Sequence, residues 1–382
     1  MKGHYETILK QTEKNLESML VNLVTDENSC DYGGIVNYTE KLLHPGHAVD
    51  SLLTAVSLYL NKESKYYLSE DLYKKILIIL DYIKRIQRPD GTFDLLVSNF
   101  YSSPDTGFIG QNLAYTYKII EKYGTDEKSE KLTSELFDII KKSGYAMVTG
   151  GFHTPNHRWV IASALFMYYS ITKEESFKEM AQRYLNEGID CDENGEYTER
   201  SSGIYNVTNN NSLIILSQEM KREDLLEHVK RNLDMMLTYI EPDWSIYTQN
   251  STRQDKGEGS QPQIFYPTPY YYIYLYMAYK FKNGKYAAIA DYIFRNSIIW
   301  SNSYPNTLHL YMLKDELKDF EIEKLPIPQN YHKYYEKSGI VRVRKGNTSY
   351  TILKDSSSFL FFQKGDIRFH MKICASFFSK AQ

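Results

Sequence analysis

The residues around position 156 place three polar side chains of complementary chemistry side by side. Asn156, His157 and Arg158 follow one another where a predicted helix begins. An amide donor, a titrating imidazole and a guanidinium at a helix N-terminus suit an anionic ligand, because the backbone N–H groups and the positive end of the helix dipole point the same way. The alternative is that Asn156 is only an N-cap and His157 only a surface residue.

The segment 188–211, GIDCDENGEYTERSSGIYNVTNNN, combines tyrosines with Glu199, Arg200 and a run of asparagines. It is too polar for a core. A tyrosine beside an arginine in a polar, sugar-sized cleft can take a proton as a base and return it as an acid, which makes Tyr205 a candidate catalytic residue. The alternative is that Tyr205 is one of 35 tyrosines and packs under the loop.

Two further segments carry polar and aromatic side chains of the same kinds. In 241–267, Arg253 and Asp255 form a surface ion pair of little energetic value, or Arg253 holds a substrate carboxylate or polarises a catalytic tyrosine with its planar fork. In 98–105, Asn99 and Tyr101 add an amide and an aromatic ring. These side chains can line the same cleft.

Helix hairpins account for most of the chain between these segments. Apolar residues return every three or four positions in ten stretches, 48–60, 72–86, 112–123, 131–142, 158–171, 176–187, 212–220, 222–239, 269–281 and 286–297. Short turns alternate with long polar connections at 88–106, 143–156, 188–211 and 241–267. This arrangement predicts a mainly α fold over 1–328, an α/α toroid or (α/α)6-type barrel. A regular TPR or HEAT array is not favoured, because no strict repeat period is visible.

After residue 328 the sequence changes from helical to β patterns. The stretches 338–344, 348–354, 358–363 and 367–378 are short, rich in β-branched and aromatic residues, and separated by turn signals. They predict a domain of antiparallel strands over 336–382. Four strands alone would expose an edge. The sequence therefore looks like the beginning of a β-sandwich, unless the strands pack on the toroid as a closing sheet.

Composition restricts the class of partner. The 382 residues are 42% hydrophobic, with 45 Lys+Arg against 48 Asp+Glu, which excludes a disordered tail and a histone-like nucleic-acid binder. Tyrosine makes up about 9% of the chain, roughly three times an ordinary share. Most tyrosines lie on predicted helices, where packing explains them. The loop tyrosines Tyr101, Tyr197, Tyr205 and Tyr247 are the candidates for lining a cleft.

The spacing of the cysteines predicts no metal site, and the distribution of charged and apolar residues predicts no membrane partner. Cys30, Cys191 and Cys374 are far apart and in no CxxC pairing, which argues against a disulfide framework and a zinc cluster. Residues 1–20 carry charges throughout, and no later stretch reaches about 18 uninterrupted apolar residues. We expect a cytoplasmic protein from this sequence, or a periplasmic or secreted one if a signal peptide has been trimmed. Nothing in the sequence indicates an oligomeric state.

Four motifs, taken in order, resemble those of the heparinase II/III-like branch of the α/α-toroid polysaccharide lyases. They are SNFYSSPDTGF (98–108), TPNHRW (154–159), DENGEYTERSSGIYN (192–206) and STRQDKG (251–257). Their order, their loop placement and the switch from α to β structure carry the resemblance, which covers nearly the whole chain. It implies β-elimination on a uronic-acid-containing polysaccharide, without metal or organic cofactor, by a toroid followed by an antiparallel β-sandwich.

The resemblance also implies roles by motif position. Asn156 neutralises the substrate carboxylate, assisted by His157 or Arg253, because removing the proton α to a carboxylate creates a dianion that needs donors in a confined cleft. Tyr205 takes the C5 proton, protonates the leaving oxygen, or does both when the two lie on one face of the sugar; His157 is the base when they lie on opposite faces. The β-domain offers one histidine candidate, His370. The substrate-binding residues implied are Asn99, Tyr101, Arg158, Glu199, Arg200, Asn206 and Gln254.

Two other functions are compatible with the same cleft. A glycoside hydrolase on a similar toroid needs two carboxylates facing one glycosidic bond, and Asp105, Asp192, Glu199 and Asp255 are available for this. The Asn-His-Arg set with a tyrosine fits elimination better. A non-catalytic carbohydrate-binding protein would keep the aromatic cleft and bind without turnover.

Overall fold

The computed structural model describes residues 1–37, 39–256, 263–354 and 356–375. Within these residues the chain forms twelve α-helices and seven β-strands. The helices are α1 (His4–Val21), α2 (Pro45–Leu60), α3 (Glu70–Ile86), α4 (Ser103–Tyr123), α5 (Glu127–Thr149), α6 (Pro155–Thr172), α7 (Glu175–Asn186), α8 (Tyr205–Met220), α9 (Leu225–Tyr239), α10 (Tyr271–Phe281), α11 (Gly284–Ser301) and α12 (Leu308–Leu313). The strands are β1 (Phe93–Leu95), β2 (Asn99–Ser102), β3 (Asn330–Tyr335), β4 (Ile340–Lys345), β5 (Thr348–Leu353), β6 (Leu360–Lys364) and β7 (Ile367–Met371).

Helix α3 illustrates how the sequence determines these elements. The Ser69 side chain caps its N-terminus by accepting a hydrogen bond from the backbone N–H of Leu72. Acidic residues occupy its first turn and basic residues its last, as the helix dipole favours. Its apolar positions, among them Ile76, Ile79 and Ile83, are fully buried. All ten predicted helical stretches fall largely within helices of the structure.

The boundaries of several predicted loops are wrong. Helix α4 begins at Ser103, where Ser102 accepts a hydrogen bond from Asp105 N, so the predicted loop 88–106 holds the β1–β2 hairpin and the first helical turn. Helix α5 extends to Thr149 and shortens the predicted loop 143–156. Helix α8 begins at Tyr205 and shortens the loop 188–211. Helix α1 is not among the predicted stretches, because charges interrupt its apolar positions.

The described chain divides into two compact units. Unit 1 comprises Met1–Ile189, Asn211–Leu226 and Ser297–Ile322; unit 2 comprises the described residues of Asp190–Asn210, Glu227–Asn296 and Glu323–Gln382. In unit 1, α4 packs against α2, α5 and α6. Helices α2 and α6 are buried over most of their surface, which is typical of helices inside a layered α fold. No helix in the described part of the chain is long and apolar enough to span a membrane.

In unit 2, the strands β3 to β7 form one antiparallel sheet in sequence order. Tyr335 pairs with Ile340, and Thr351 pairs with Phe361. Five strands therefore replace the four predicted, because β3 precedes the predicted first strand. The predicted strand 367–378 ends at Met371, and its residues 376–378, like the end of the predicted domain 336–382, lie outside the described residues. The predicted division between residues 328 and 336 stays a prediction.

A buried ion pair fixes this sheet to the end of α9 within unit 2. Arg342 Nη1 lies 2.6 Å from Glu241 Oε1, and both side chains are at most 1% exposed. Arg342 Nε donates to the carbonyl of Thr238 at 2.9 Å. The hydroxyl of Ser349 donates to the other oxygen of Glu241. Because an unpaired buried charge is costly, this network specifies one position of the sheet on the helix end.

Packing explains the helical tyrosines, as predicted. In unit 2, Tyr270, Tyr274 and Tyr286 are buried to within 1% of their surface. Each hydroxyl donates to a backbone carbonyl, those of Ser202 at 2.6 Å, Leu233 at 3.1 Å and Lys230 at 3.1 Å respectively. A tyrosine can therefore fill the space between helices and satisfy its own polar end, which a phenylalanine cannot do for these carbonyls.

Candidate functional site

Tyr205 is the first residue of α8 in unit 2. The Ser201 hydroxyl accepts a hydrogen bond from Tyr205 N at 3.0 Å and so holds the start of the helix. Gln254 Nε2 donates to the phenolic oxygen of Tyr205 at 2.6 Å. The guanidinium carbon of Arg253 lies 4.9 Å from the centre of the Tyr205 ring. The Tyr205 side chain is half-buried. It contacts two of the other predicted site residues, Gln254 and Arg253.

Arg253 is held in place by Glu199. Its Nε lies 3.3 Å from Glu199 Oε1, and the Glu199 side chain is 4% exposed. The backbone N–H and the hydroxyl of Thr252 donate to the carbonyl of Glu199 at 3.1 and 2.9 Å, which ties the two loops together. The predicted alternative of an Arg253–Asp255 surface pair is wrong. Asp255 is fully buried and accepts hydrogen bonds from Gly203 N and the hydroxyl of Ser251.

A second buried glutamate lies in the same loop. Glu196 Oε1 accepts hydrogen bonds from the hydroxyl of Tyr239 at 3.3 Å and from Asn250 Nδ2 at 3.0 Å. Arg200 Nε lies 3.7 Å from Glu196 Oε2. Burial raises the pKa of Glu196, and the Arg200 charge opposes this shift. Arg200, a predicted substrate-binding residue, is therefore also a partner of an internal carboxylate.

The side chains of the other predicted residues of unit 2 have different contacts. Asn206 is 1% exposed, and its amide contacts Met236 Sδ at 3.9 Å. His370 on β7 is half-buried with its ring 6.1 Å from the ring of Phe361, and burial together with Lys372 lowers its pKa. The prediction that Tyr197 and Tyr247 line a cleft is wrong, because both side chains are nearly fully buried.

In unit 1, Asn156, His157 and Arg158 occupy the first turn of α6. The N-cap of this helix is Thr154, so the alternative in which Asn156 is the N-cap is wrong. Asn156 is fully buried, and its Nδ2 donates to Thr154 Oγ1 at 2.9 Å. His157 is half-buried rather than a surface residue, with its ring edge-to-face with Phe108 at 6.1 Å. Arg158 Nη1 lies 2.9 Å from the carboxylate of Glu187, on the surface of the unit.

The β1–β2 hairpin positions the two earliest predicted residues. Asn99 Nδ2 donates to Asp105 Oδ2 at 3.4 Å. Tyr101 has a φ of 52°, and its backbone N–H donates to Asp94 Oδ1 at 2.9 Å. Its exposed ring lies 4.9 Å from the guanidinium carbon of Arg88, which also binds Asp94. The left-handed conformation therefore turns an aromatic side chain outward beside a cation.

Unit 1 also holds a cavity that the sequence analysis did not single out. It has a volume of about 320 Å³, and Asp105 and Phe108 are among its lining residues. Asp105 accepts a hydrogen bond from Asn99, and the ring of Phe108 contacts His157, so the cavity lies beside two predicted site residues. His44, His47 and Asp94 are further lining residues. The signal in the sequence is the HPGH motif at 44–47, where Pro45 starts α2 and leaves two imidazoles at the helix end.

The carboxylates considered for hydrolysis are mostly committed to other partners. Glu199 binds Arg253, and Asp255 is fully buried. Asp192 Oδ1 accepts hydrogen bonds from the backbone N–H groups of Asn194 and Glu196. Asp105 lines the cavity of unit 1. The described residues contain no group of three or more His, Cys, Asp or Glu side chains placed to hold a metal ion.

Solved structures of polysaccharide lyases are similar to this chain. The chondroitin AC lyase of Streptomyces coelicolor A3, in complex with chondroitin sulphate, superposes with a TM-score of 0.64 and 11% identity over 94% of this chain and 51% of that one. A Paenibacillus xanthan lyase has a TM-score of 0.63 and 10% identity over 93% of this chain and 35% of that one. A chondroitinase AC lyase solved with oligosaccharides has a TM-score of 0.50 and 14% identity, over 93% and 50% of the two chains. No protein-family model and no curated protein sequence matches the chain.

These similarities concern the fold. The chain spans about half the length of the chondroitin lyases that it matches, and about a third of the xanthan lyase. The predicted fold class is confirmed: the chain is mainly α, of the α/α-toroid class, followed by antiparallel β-structure.

Proposed function

We propose that the chain carries the toroid of a polysaccharide lyase that cleaves a uronic-acid-containing glycan by β-elimination. The observation that carries this proposal is the environment of Tyr205, which combines an amide donor at its oxygen with a guanidinium at its ring face. The similarity of the fold to chondroitin and xanthan lyases supports it. A closer kinship with the heparinase II/III-like branch stays a prediction from the four motifs.

The proposed step needs no atom beyond the substrate and the protein. Tyr205 acts as the phenolate, with its own proton released to solvent, and takes the proton from C5 of the uronate. The electron pair left at C5 forms the C4–C5 double bond, and the C4–O bond breaks. The leaving oxygen then takes a proton, which the same tyrosine can return. Gln254 and Arg253 stabilise the negative charge on the tyrosine oxygen after it loses its proton, because a donor and a cation both favour the charged form.

The contacts of Glu199 support a different role from the predicted one. A side chain that is 4% exposed and bound to Arg253 is better suited to hold that arginine over the Tyr205 ring than to contact a glycan. We therefore propose Glu199 as a positioning residue and Tyr205 as the catalytic one. The roles of Asn156 and His157 in neutralising the carboxylate stay predictions from motif position.

Product masses distinguish elimination from hydrolysis. We expect the chain to cleave at least one of a panel of oligosaccharides that contain different uronate epimers. In elimination the two product masses add up to the mass of the substrate, whereas hydrolysis adds one water. A matched neutral oligosaccharide is the control and stays intact, since its sugars have no carboxylate to acidify C5. Products that contain the added water, or an intact panel, would contradict the proposal.

A further inference from the structure

Two acceptor atoms at the cavity of unit 1, one on His44 and one on Asp105, have no hydrogen bond within the described chain. His44 is 9% exposed, and its Nδ1 makes no hydrogen bond. Its Nε2 lies 2.8 Å from Glu40 Oε2. A carboxylate only accepts, so Nε2 is the protonated nitrogen of this pair, and in the neutral form of the ring Nδ1 keeps a lone pair. A buried lone pair of this kind costs free energy unless a donor meets it.

Asp105 provides the second acceptor. Its Oδ2 receives both hydrogen bonds that the carboxylate accepts from described side chains, one from the hydroxyl of Ser102 and one from Asn99 Nδ2 at 3.4 Å. Oδ1 is left for the cavity, which Asp105 lines. The third acidic neighbour, Asp94, is already satisfied, because Arg88 and the Tyr101 N–H bind its two oxygens. A ligand of this cavity must therefore bring hydrogen-bond donors.

The charge of the cavity argues against an anionic ligand. Three carboxylates line it, those of Glu40, Asp94 and Asp105, and no lysine or arginine does so among its described lining residues. Arg88 offsets only Asp94. A sugar carboxylate or sulfate would meet like charges there and would find few donors.

Apolar residues form most of the remaining wall, which also contains His47, and the size fits a single sugar ring. Phe108, Leu95, Val97 and Ile109 are among the lining residues. An aromatic and aliphatic wall suits the C–H face of a pyranose, whose hydroxyls point outward to acceptors. The volume of about 320 Å³ lies at the small end of ligand sites in proteins. Phe108 also contacts His157, so the cavity adjoins the first turn of α6.

We propose that this cavity is a subsite for an uncharged, hydroxyl-bearing sugar residue, with His44 Nδ1 and Asp105 Oδ1 as the acceptors. The assignment deepens the proposed function and rests on it for the nature of the polymer: the glycan contains neutral sugars as well as uronates. Uronate-only polymers would not fill the subsite.

Titration of methyl glucoside with the whole chain, monitored by ligand-observed NMR, tests the subsite. We expect Asp105→Asn to weaken binding by about tenfold, the effect of losing a hydrogen bond to a charged group. We expect His44→Leu to weaken it by at least about threefold, because the acceptor nitrogen is removed. The substitution also removes the contact of Nε2 with Glu40, so thermal unfolding of the variant is measured beside its binding to verify that it is folded. Asp138→Asn makes the same charge change at an exposed position of α5 that lines no described cavity, and should bind as the wild type does.

The charge of the ligand provides the second arm of the test. An excess of methyl glucuronide should leave methyl glucoside bound, since the carboxylate is excluded from the cavity. Displacement of the glucoside, or wild-type affinity in both the Asp105→Asn and His44→Leu variants, would overturn the subsite. Binding without any elimination of a uronate glycan would refute the proposed function and keep the subsite. Elimination of a uronate glycan without binding of methyl glucoside would refute the subsite and keep the proposed function.

Discussion

Tyr205 is placed by contacts from two loops of one unit, the loop that precedes α8 and the loop that follows α9. Ser201 holds its backbone, Gln254 donates to its oxygen, and Arg253 lies over its ring. Glu199 in turn holds Arg253. Preorganised partners of this kind do not have to reorient when charge develops in the transition state. This preorganisation is usually the largest contribution to the rate advantage of an enzyme over water.

Removing the charge of Glu199 tests this arrangement. In a Glu199→Gln variant the Arg253 side chain loses its partner and leaves the Tyr205 ring for part of the time. We expect kcat on a uronate oligosaccharide to fall by about tenfold with KM little changed, because the lost interaction acts on the transition state. Initial rates over a range of substrate concentrations measure both constants.

The control is Glu193→Gln. Glu193 lies in the same loop as Glu199, is exposed and pairs with Lys337. The control substitution should leave both constants unchanged. A Glu199→Gln variant with wild-type kcat, or one that raises only KM as a substrate-binding residue would, contradicts the positioning role.

At this scale the sequence identifies residues better than it identifies their partners. Tyr205, Arg253 and Gln254 were singled out from two motifs, and the structure brings them into contact. The partner of Arg253 was sought in Asp255, its neighbour along the chain. The true partner, Glu199, lies in another loop, and nothing in local sequence signals a pairing of this kind. His44 and Phe108 were missed for the same reason, since only the tertiary fold gives them a common cavity.

Helices and strands were predictable where their apolar pattern is continuous. Their ends were not, because side-chain caps determine them. Helix α4 starts at a Ser102 cap that precedes Pro104, and α8 starts at a Ser201 contact in a polar, asparagine-rich segment that has low helix propensity. Strand β3 lacks a clear alternation of apolar residues and forms because it pairs with β4. Local side-chain caps therefore determine the two helix starts, and pairing with a neighbouring strand determines β3.

Strand β7 is joined to the loop after α9 by an ion pair that responds to pH. Arg368 binds the carboxylate of Asp243, and the Ser245 hydroxyl donates to the same side chain at 2.7 Å. Burial alone would raise the pKa of Asp243, but the hydrogen bonds from Arg368 and Ser245 outweigh it, so the pKa lies below the usual value. The pair therefore stabilises the fold above the pKa of an unfolded aspartate, about 3.9, and the stabilisation is lost as pH falls through the lower folded pKa.

The Asp243→Asn variant removes this dependence. We expect it to be less stable than the wild type by about 1 kcal/mol at neutral pH, the scale of a partly exposed ion pair with an added hydrogen bond. The difference should shrink below about pH 4 as the wild-type carboxylate takes a proton. Urea unfolding of both proteins between pH 6 and pH 3 measures it. A difference that is the same at every pH would show that the carboxylate is not linked to folding in this way.

The whole molecule is unusual in its tyrosine content, and two different causes account for it. Tyr270, Tyr274 and Tyr286 fill helix contacts and donate to backbone carbonyls, in agreement with the packing role predicted for the helical tyrosines. Tyr205 alone among the four loop candidates lies against a cation and a side-chain amide donor. Composition therefore pointed to the fold more than to the site. The α/α-toroid class followed from helix hairpins, and the comparison with solved structures agrees with it.

The appearance of the unsaturated uronate, which absorbs in the ultraviolet, tests the central claim most directly. The wild-type chain should produce this absorbance from at least one uronate glycan, and Tyr205→Phe should slow its appearance by at least about 100-fold, the usual contribution of a general acid or base. Tyr334→Phe, at an exposed tyrosine on β3, should keep the wild-type rate. No absorbance from the wild type with any glycan of the panel, or a full rate in Tyr205→Phe, would contradict the account.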